Sequence, residues 1–244
     1  MKKIKKLREF KQRKNGMFYC FSPLVMIVTV IVEVLLALFI LFKLRKNTTV
    51  WLGFAIIVLL AVFQLAEYAI CTALGLSEDW WGRIGFSAIT LLPPLGLHLV
   101  YSVKGIKISR MLILAYLSAL IWIVMFLQGY VINGQQCTTN YLIFDMKDRL
   151  GGAFFFFYYF WLLYATTKAV EYRKSKDISK QSRKSLTWFL VGYAAFIVPA
   201  TIIWLFFEQA SKGLPSIMCG FAIILAIILG TKVIPAASDR QSKK

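Results

Sequence analysis

The chain has 244 residues, of which 59% are hydrophobic and only 16% charged, with a mean hydropathy of +0.68. A soluble domain carries roughly 25% charged residues; here the apolar residues arrive in long, nearly charge-free runs, the pattern of membrane spans. This excludes a soluble enzyme and a disordered chain, and the net charge of +18 reads as basic loops facing anionic lipid, with no nucleic acid as partner.

In chain order, residues 1–16 form a basic tail, followed by seven runs long enough to cross about 30 Å at about 1.5 Å per residue. They fall at 20–43, 50–75, 84–104, 109–131, 152–170, 186–207 and 214–234. The predicted architecture is all-α: a seven-transmembrane-helix bundle over 17–234, then a short basic tail at 235–244. The longest connections are 132–151, read as a loop, and the basic, Ser-rich 171–185. No run has the length and small-residue cleavage site of a signal peptide.

Lys and Arg set the orientation. With the adjoining span ends, the loops after spans 1, 3 and 5 and the C-terminal tail hold 17 of them, against 4 for the loops after spans 2, 4 and 6. The expected topology has the N-terminus outside and the C-terminus cytoplasmic, in a bacterial inner (plasma) membrane. Residues 2–14 oppose this with eight basic side chains. Either the later loops outvote that tail, or translation starts at Met17 and residues 1–16 are not made. Trp80 and Trp81 suit an outer aromatic belt. The run Phe154–Trp161 reads as helix packing and lipid contact. Pro93, Pro94 and Pro199 are expected to bend their spans.

Ionisable residues inside spans are functional candidates by default: Glu33 in span 1, Glu67 in span 2 and His98 in span 3. Helical rise puts Glu33 and His98 ~20 Å and Gln64 ~17 Å below the outer edge, which predicts a Glu33–His98 pair bridged by Gln64. Thr29 and Glu33 share one helical face, as do Gln64, Glu67 and Cys71. The plainer alternative is that both glutamates are protonated acids bonded to neighbouring helices.

All four cysteines fall in the expected outer half, where a disulfide is permitted; Cys20–Cys137 and Cys20–Cys219 are the candidate bridges. Cys20, Glu67 and Cys219 could form a soft-metal set, but no CxxC, HxxxH or HExxH spacing supports it, and neither a metal nor a cofactor is expected. One histidine and no GxSxG motif argue against membrane zinc hydrolases and serine hydrolases. Lys232 sits too near the inner end of span 7 to hold retinal. Pro93-Pro94 and Pro199 do not form the matched pair of interrupted helices that marks many transporters.

Three short motifs, Cys20-Phe21-Ser22-Pro23, Gln64-Leu65-Ala66-Glu67 and Pro215-Ser216-Ile217-Met218-Cys219, resemble an uncharacterised family of bacterial multi-pass membrane proteins, a domain of unknown function. The sequence departs from that pattern at Phe63, Tyr68, Met218 and Gly220. The resemblance covers roughly 17–234 and implies no activity. It adds weight to Cys20, Ser22, Gln64, Glu67, Ser216 and Cys219, and none to Glu33 or His98.

The leading expectation is a non-enzymatic, receptor- or sensor-like protein. It would bind a small ligand in a polar pocket between spans 1, 2, 3 and 7, lined by Cys20, Ser22, Glu33, Gln64, Glu67, His98, Ser216 and Cys219, and could dock a cytoplasmic protein on loop 171–185. The alternative is a small transporter or proton-coupled permease using Glu33, Glu67 and His98. A third is a thiol-redox or metal-dependent membrane enzyme built on Cys20 and Cys219.

Overall fold

The computed structural model describes residues 23–137, 142–206 and 213–241; the tail 1–16, Cys20 and Ser22 lie outside these. Seven helices among them are long and apolar enough to cross a membrane, and 82% of the described residues are helical. Span 1 is α1 (Pro23–Lys43) and span 2 is α2 (Thr48–Thr72). Span 3 comes in two pieces, α3 (Glu78–Thr90) and α4 (Leu92–Lys104). Spans 4, 5 and 6 are α5 (Arg110–Leu127), α6 (Asp148–Lys174) and α7 (Lys180–Phe206). Span 7 runs through α8 (Leu214–Ile228), a π-helical turn (Leu229–Val233) and α9 (Ile234–Gln241).

Each predicted run overlaps one of these helices. The 132–151 connection is the exception, because it is not simply a loop. It folds as an antiparallel hairpin of β1 (Ile132–Cys137) and β2 (Leu142–Met146). Asn133-Gly134, a dipeptide that often makes a tight turn, lies instead at the register shift between Ile132 and Gly134. The alternation in β2 sends Leu142 and Phe144 inward, at 0% and 3% exposure. A strand can dip into a bundle this way because its backbone groups are paired within the hairpin.

Pro93 and Pro94 do break span 3, at Leu91. They then occupy the first turn of α4, where a missing N–H costs no hydrogen bond. Spans 2 and 3 form the centre of the molecule, with span 1 packed on spans 2 and 7, span 4 on span 3, and spans 5 and 6 closing the ring towards span 7. An aromatic cluster knits the hairpin half together. Phe86 stacks on Phe126 at 5.0 Å and meets Phe144 edge-on at 4.7 Å, with Phe154 and Phe63 at 5.8 and 6.0 Å. Within the run Phe154–Trp161, Phe154, Phe157, Tyr158 and Trp161 are buried while Phe156 and Phe160 face outward, so one segment serves both packing and lipid contact.

The hairpin end is also tied by polar contacts. Trp81 donates its indole N–H to the Leu74 carbonyl at 2.7 Å. Arg83 donates to the Leu127 carbonyl at 3.0 Å, placing a cation at the negative end of α5, and lies over the Trp80 ring at 5.0 Å. Gly129 ends α5 with φ +77° and donates to the Phe126 carbonyl, a left-handed cap that glycine tolerates best. A Cβ there would also run into the Arg83 guanidinium. Gly129→Ala should therefore lower stability by about 1–2 kcal/mol, read as a lower thermal midpoint of the purified protein.

Candidate functional site

The site grows from the antiparallel packing of α1 on α2. Helical spacing puts Thr29 and Glu33 on one face of α1, and Gln64 and Glu67 on one face of α2. All four are buried, and both glutamates show 0% exposure. The Thr29 hydroxyl is 3.0 Å from Gln64 Oε1 and 2.7 Å from the Met26 carbonyl, so it can donate to either. This contact levels the two helices. Glu33 then lies ~6 Å deeper along α1, away from the hairpin, and Glu67 ~4.5 Å nearer the hairpin along α2. Helical side chains lean towards their own N-terminus. Since α1 and α2 run in opposite directions, both carboxyls lean back towards the Thr29–Gln64 contact.

The consequence is a pair of carboxyls close enough to repel each other electrostatically, although none of their four oxygens accepts a hydrogen bond of normal length. Ser216, fully buried at the start of α8, is the nearest help. Its Oγ accepts from the Leu142 N–H of the hairpin at 3.1 Å, and the Glu67 carboxyl is its neighbour beyond closed hydrogen-bond length. Spans 1, 2 and 7 and the hairpin thus converge on one polar core. Among the described residues no cation compensates these two buried carboxyls, an arrangement that is costly in a low-dielectric interior. The arrangement calls for a proton, a cation or a positively charged ligand.

Of the expected pocket residues, Glu33, Gln64, Glu67 and Ser216 come together here. His98 does not. Its Nδ1 lies 3.1 Å from the Tyr116 hydroxyl of span 4, so the expected Glu33–His98 pair bridged by Gln64 is replaced by a Glu33–Glu67 pair. Depth along the membrane fixed the level of His98 but not its azimuth around span 3, and it points towards α5. Span 3 accordingly drops out of the polar site. Cys219 follows Ser216 by one turn of α8, and its side chain lies outside what the structure describes.

Cys137 is bridged, but to Cys71, with Sγ–Sγ 2.11 Å and Cα–Cα 5.8 Å. This overturns the Cys20–Cys137 pairing. The hairpin carries Cys137 back over the end of α2, and a loop reading of 132–151 hides that return. Cys71, one turn beyond Glu67 on the same face of span 2, is the signal that pointed there. Leu142, whose backbone N–H fixes Ser216, has no chemical signature in the sequence at all. Among the described residues no three His, Cys, Asp or Glu side chains gather as a metal site would require. A separate cleft between spans 2, 3, 5, 6 and 7, with an empty volume of ≈ 350 Å³, is lined by side chains such as Leu60, Leu92, Phe155 and Met218 and by neither glutamate.

Fold and site define a class: a seven-helix, multi-pass membrane-type protein with an acid pair buried between its first two spans. The chain matches no protein-family model and no curated protein.

Proposed function

We propose that the protein is a receptor- or sensor-like, non-enzymatic membrane protein that takes up a small cationic ligand at Glu33 and Glu67, between spans 1, 2 and 7. The observation that carries this reading is that both carboxyls are wholly buried while none of their oxygens has a hydrogen-bond partner among the described residues. Intramembrane carboxyls with this exposure face a functional partner more often than lipid. Glu67 and Gln64 belong to one of the three motifs behind the family resemblance and the neighbouring Ser216 to another, and we keep that resemblance as part of the proposal.

The orientation we propose has the hairpin end outside and the 171–185 loop in the cytoplasm of a bacterial inner membrane. Two independent features support it: the Cys71–Cys137 bridge at the hairpin end, since disulfides persist in oxidising compartments, and the basic excess at the other end. The inner loop offers a cytoplasmic partner an ordered basic surface, with Lys104 donating to Ser175 Oγ at 2.9 Å and Arg183 to the Ser175 carbonyl at 3.3 Å.

A proton-coupled permease is the second reading. It is favoured by span 7, where a π-helical turn interrupts the helix beside Leu36 and Ile57; such turns concentrate at functional sites. Both readings are tested by the thermal midpoint of the full chain across pH and a panel of alkali, divalent and small ammonium cations. A ligand that binds only the folded state at 100 times its Kd adds about 2.7 kcal/mol. Wild-type protein should respond to proton or cation concentration, and the Glu33→Gln, Glu67→Gln double variant should not. An identical response in both overturns the reading.

A further inference from the structure

We infer that the ligand of the acid pair is the proton, taken up from the hairpin side, first by Glu67 and then by Glu33. This rests on the small-cation reading above and narrows it. Three observations carry the inference: the order of the groups, the contrast between the two ends of the site, and the tightness of its packing.

The polar groups form a line along the bundle and not a shell around a point. From the hairpin inwards they run Leu142 N–H, Ser216 hydroxyl, Glu67, the Thr29–Gln64 contact, Glu33. Ser216, Glu67, Thr29 and Glu33 are the members that can accept one proton while giving up another, and because neither carboxyl is closed onto a neighbour, each transfer follows a side-chain rotation that brings donor and acceptor to hydrogen-bond length. At each transfer one O–H bond forms as another breaks, and no electrons change hands.

Inward of Glu33 the character reverses. Ala37 and Ile40 continue its face of α1, Ile57 faces them from α2 at 0% exposure, and Leu36 and Ile57 close on Gly230 of the π-helical turn. The line therefore continues through the buried polar groups Ser216 and Leu142 N–H at the hairpin end and is bounded by hydrocarbon at the other. Both glutamate side chains are completely enclosed, and a proton is the one cation that binds without needing room of its own.

Among the described residues, the charged and imidazole side chains of span 3, the hairpin and the π-helical turn have positions or partners elsewhere. On span 3, His98 is engaged with Tyr116 and Arg83 with the Leu127 carbonyl; Glu78 and Asp79 are at its outer end, Asp145 is on the hairpin and Lys232 on the π-helical turn. Among the described residues, Glu33 feels the Glu67 carboxyl and Glu67 the Ser216 hydroxyl.

Infrared difference spectroscopy of the full chain in nanodiscs tests this through the C=O absorption of protonated carboxyl groups. At neutral pH the wild-type protein should show two such bands, indifferent to added sodium. Glu33→Gln should lose one and Glu67→Gln the other. On transfer to heavy water, the Glu33 band should exchange more slowly in Glu67→Gln, while the Glu67 band exchanges at its wild-type rate in Glu33→Gln. If either variant fails to fold, a carbon-13 glutamate label in wild-type protein assigns the bands, and their order of exchange tests the sequence of uptake. Loss of the bands on adding sodium, potassium or a divalent ion overturns the proton but leaves a small-cation receptor standing. Absence of the bands with no response to any cation overturns both. Exchange of Glu33 ahead of Glu67 overturns the direction of entry.

Discussion

Cys137→Ser is expected to cost the folded protein about 2–4 kcal/mol. The bridge closes a loop between residues 66 apart in sequence. For a freely unfolded chain, the loop-closure entropy of that length corresponds to about 4 kcal/mol. Spans that stay inserted while tertiary contacts are lost already restrict the unfolded ensemble, which sets the lower figure. Cys71→Ser should have the same effect, and the double variant no more than either single one, because one bond accounts for all three. The measurement is the denaturation midpoint of oxidised protein against each variant, together with non-reducing peptide mapping. A map joining Cys137 to Cys20 would contradict the assignment.

Phe86→Ala should cost roughly 3–5 kcal/mol. Phe86 is fully buried, and four aromatic neighbours from span 2, the hairpin, span 4 and span 5 surround it. In a bilayer the loss is chiefly one of packing, because lipid tails are as apolar as the ring they would replace. Phe86→Leu keeps most of the volume and should cost less than about 1.5 kcal/mol. Reversible unfolding in mixed micelles measures both. Equal effects for the two variants would mean that the cluster is not tightly interlocked.

The spans were readable because the bilayer demands a run of about 20 apolar residues whatever the rest of the protein does. The hairpin was not, since its strands are short and its stability comes from Leu142 and Phe144 sinking into a pocket made by spans far away in sequence. The site divides along the same line. Thr29, Glu33, Gln64 and Glu67 stand out as polar residues on shared helical faces, a local property. His98 was misassigned because rise along a helix gives depth alone, whereas pairing depends on the rotation of span 3, which is set by its packing against α2, α5 and α6. Ser216 was legible only through the motif resemblance, and its anchoring by a backbone N–H of the hairpin could not be read from side-chain identity.

The Cys71–Cys137 crosslink also bears on how the chain is made. Cys71 emerges from the ribosome well before Cys137, and spans 3 and 4 lie between them. The bond therefore forms only after spans 3 and 4 have been synthesised and the segment that follows them has folded back over the end of span 2. Nascent chains arrested before Cys137 is made cannot form it, which makes this bond a natural timer for assembly of the first four helices.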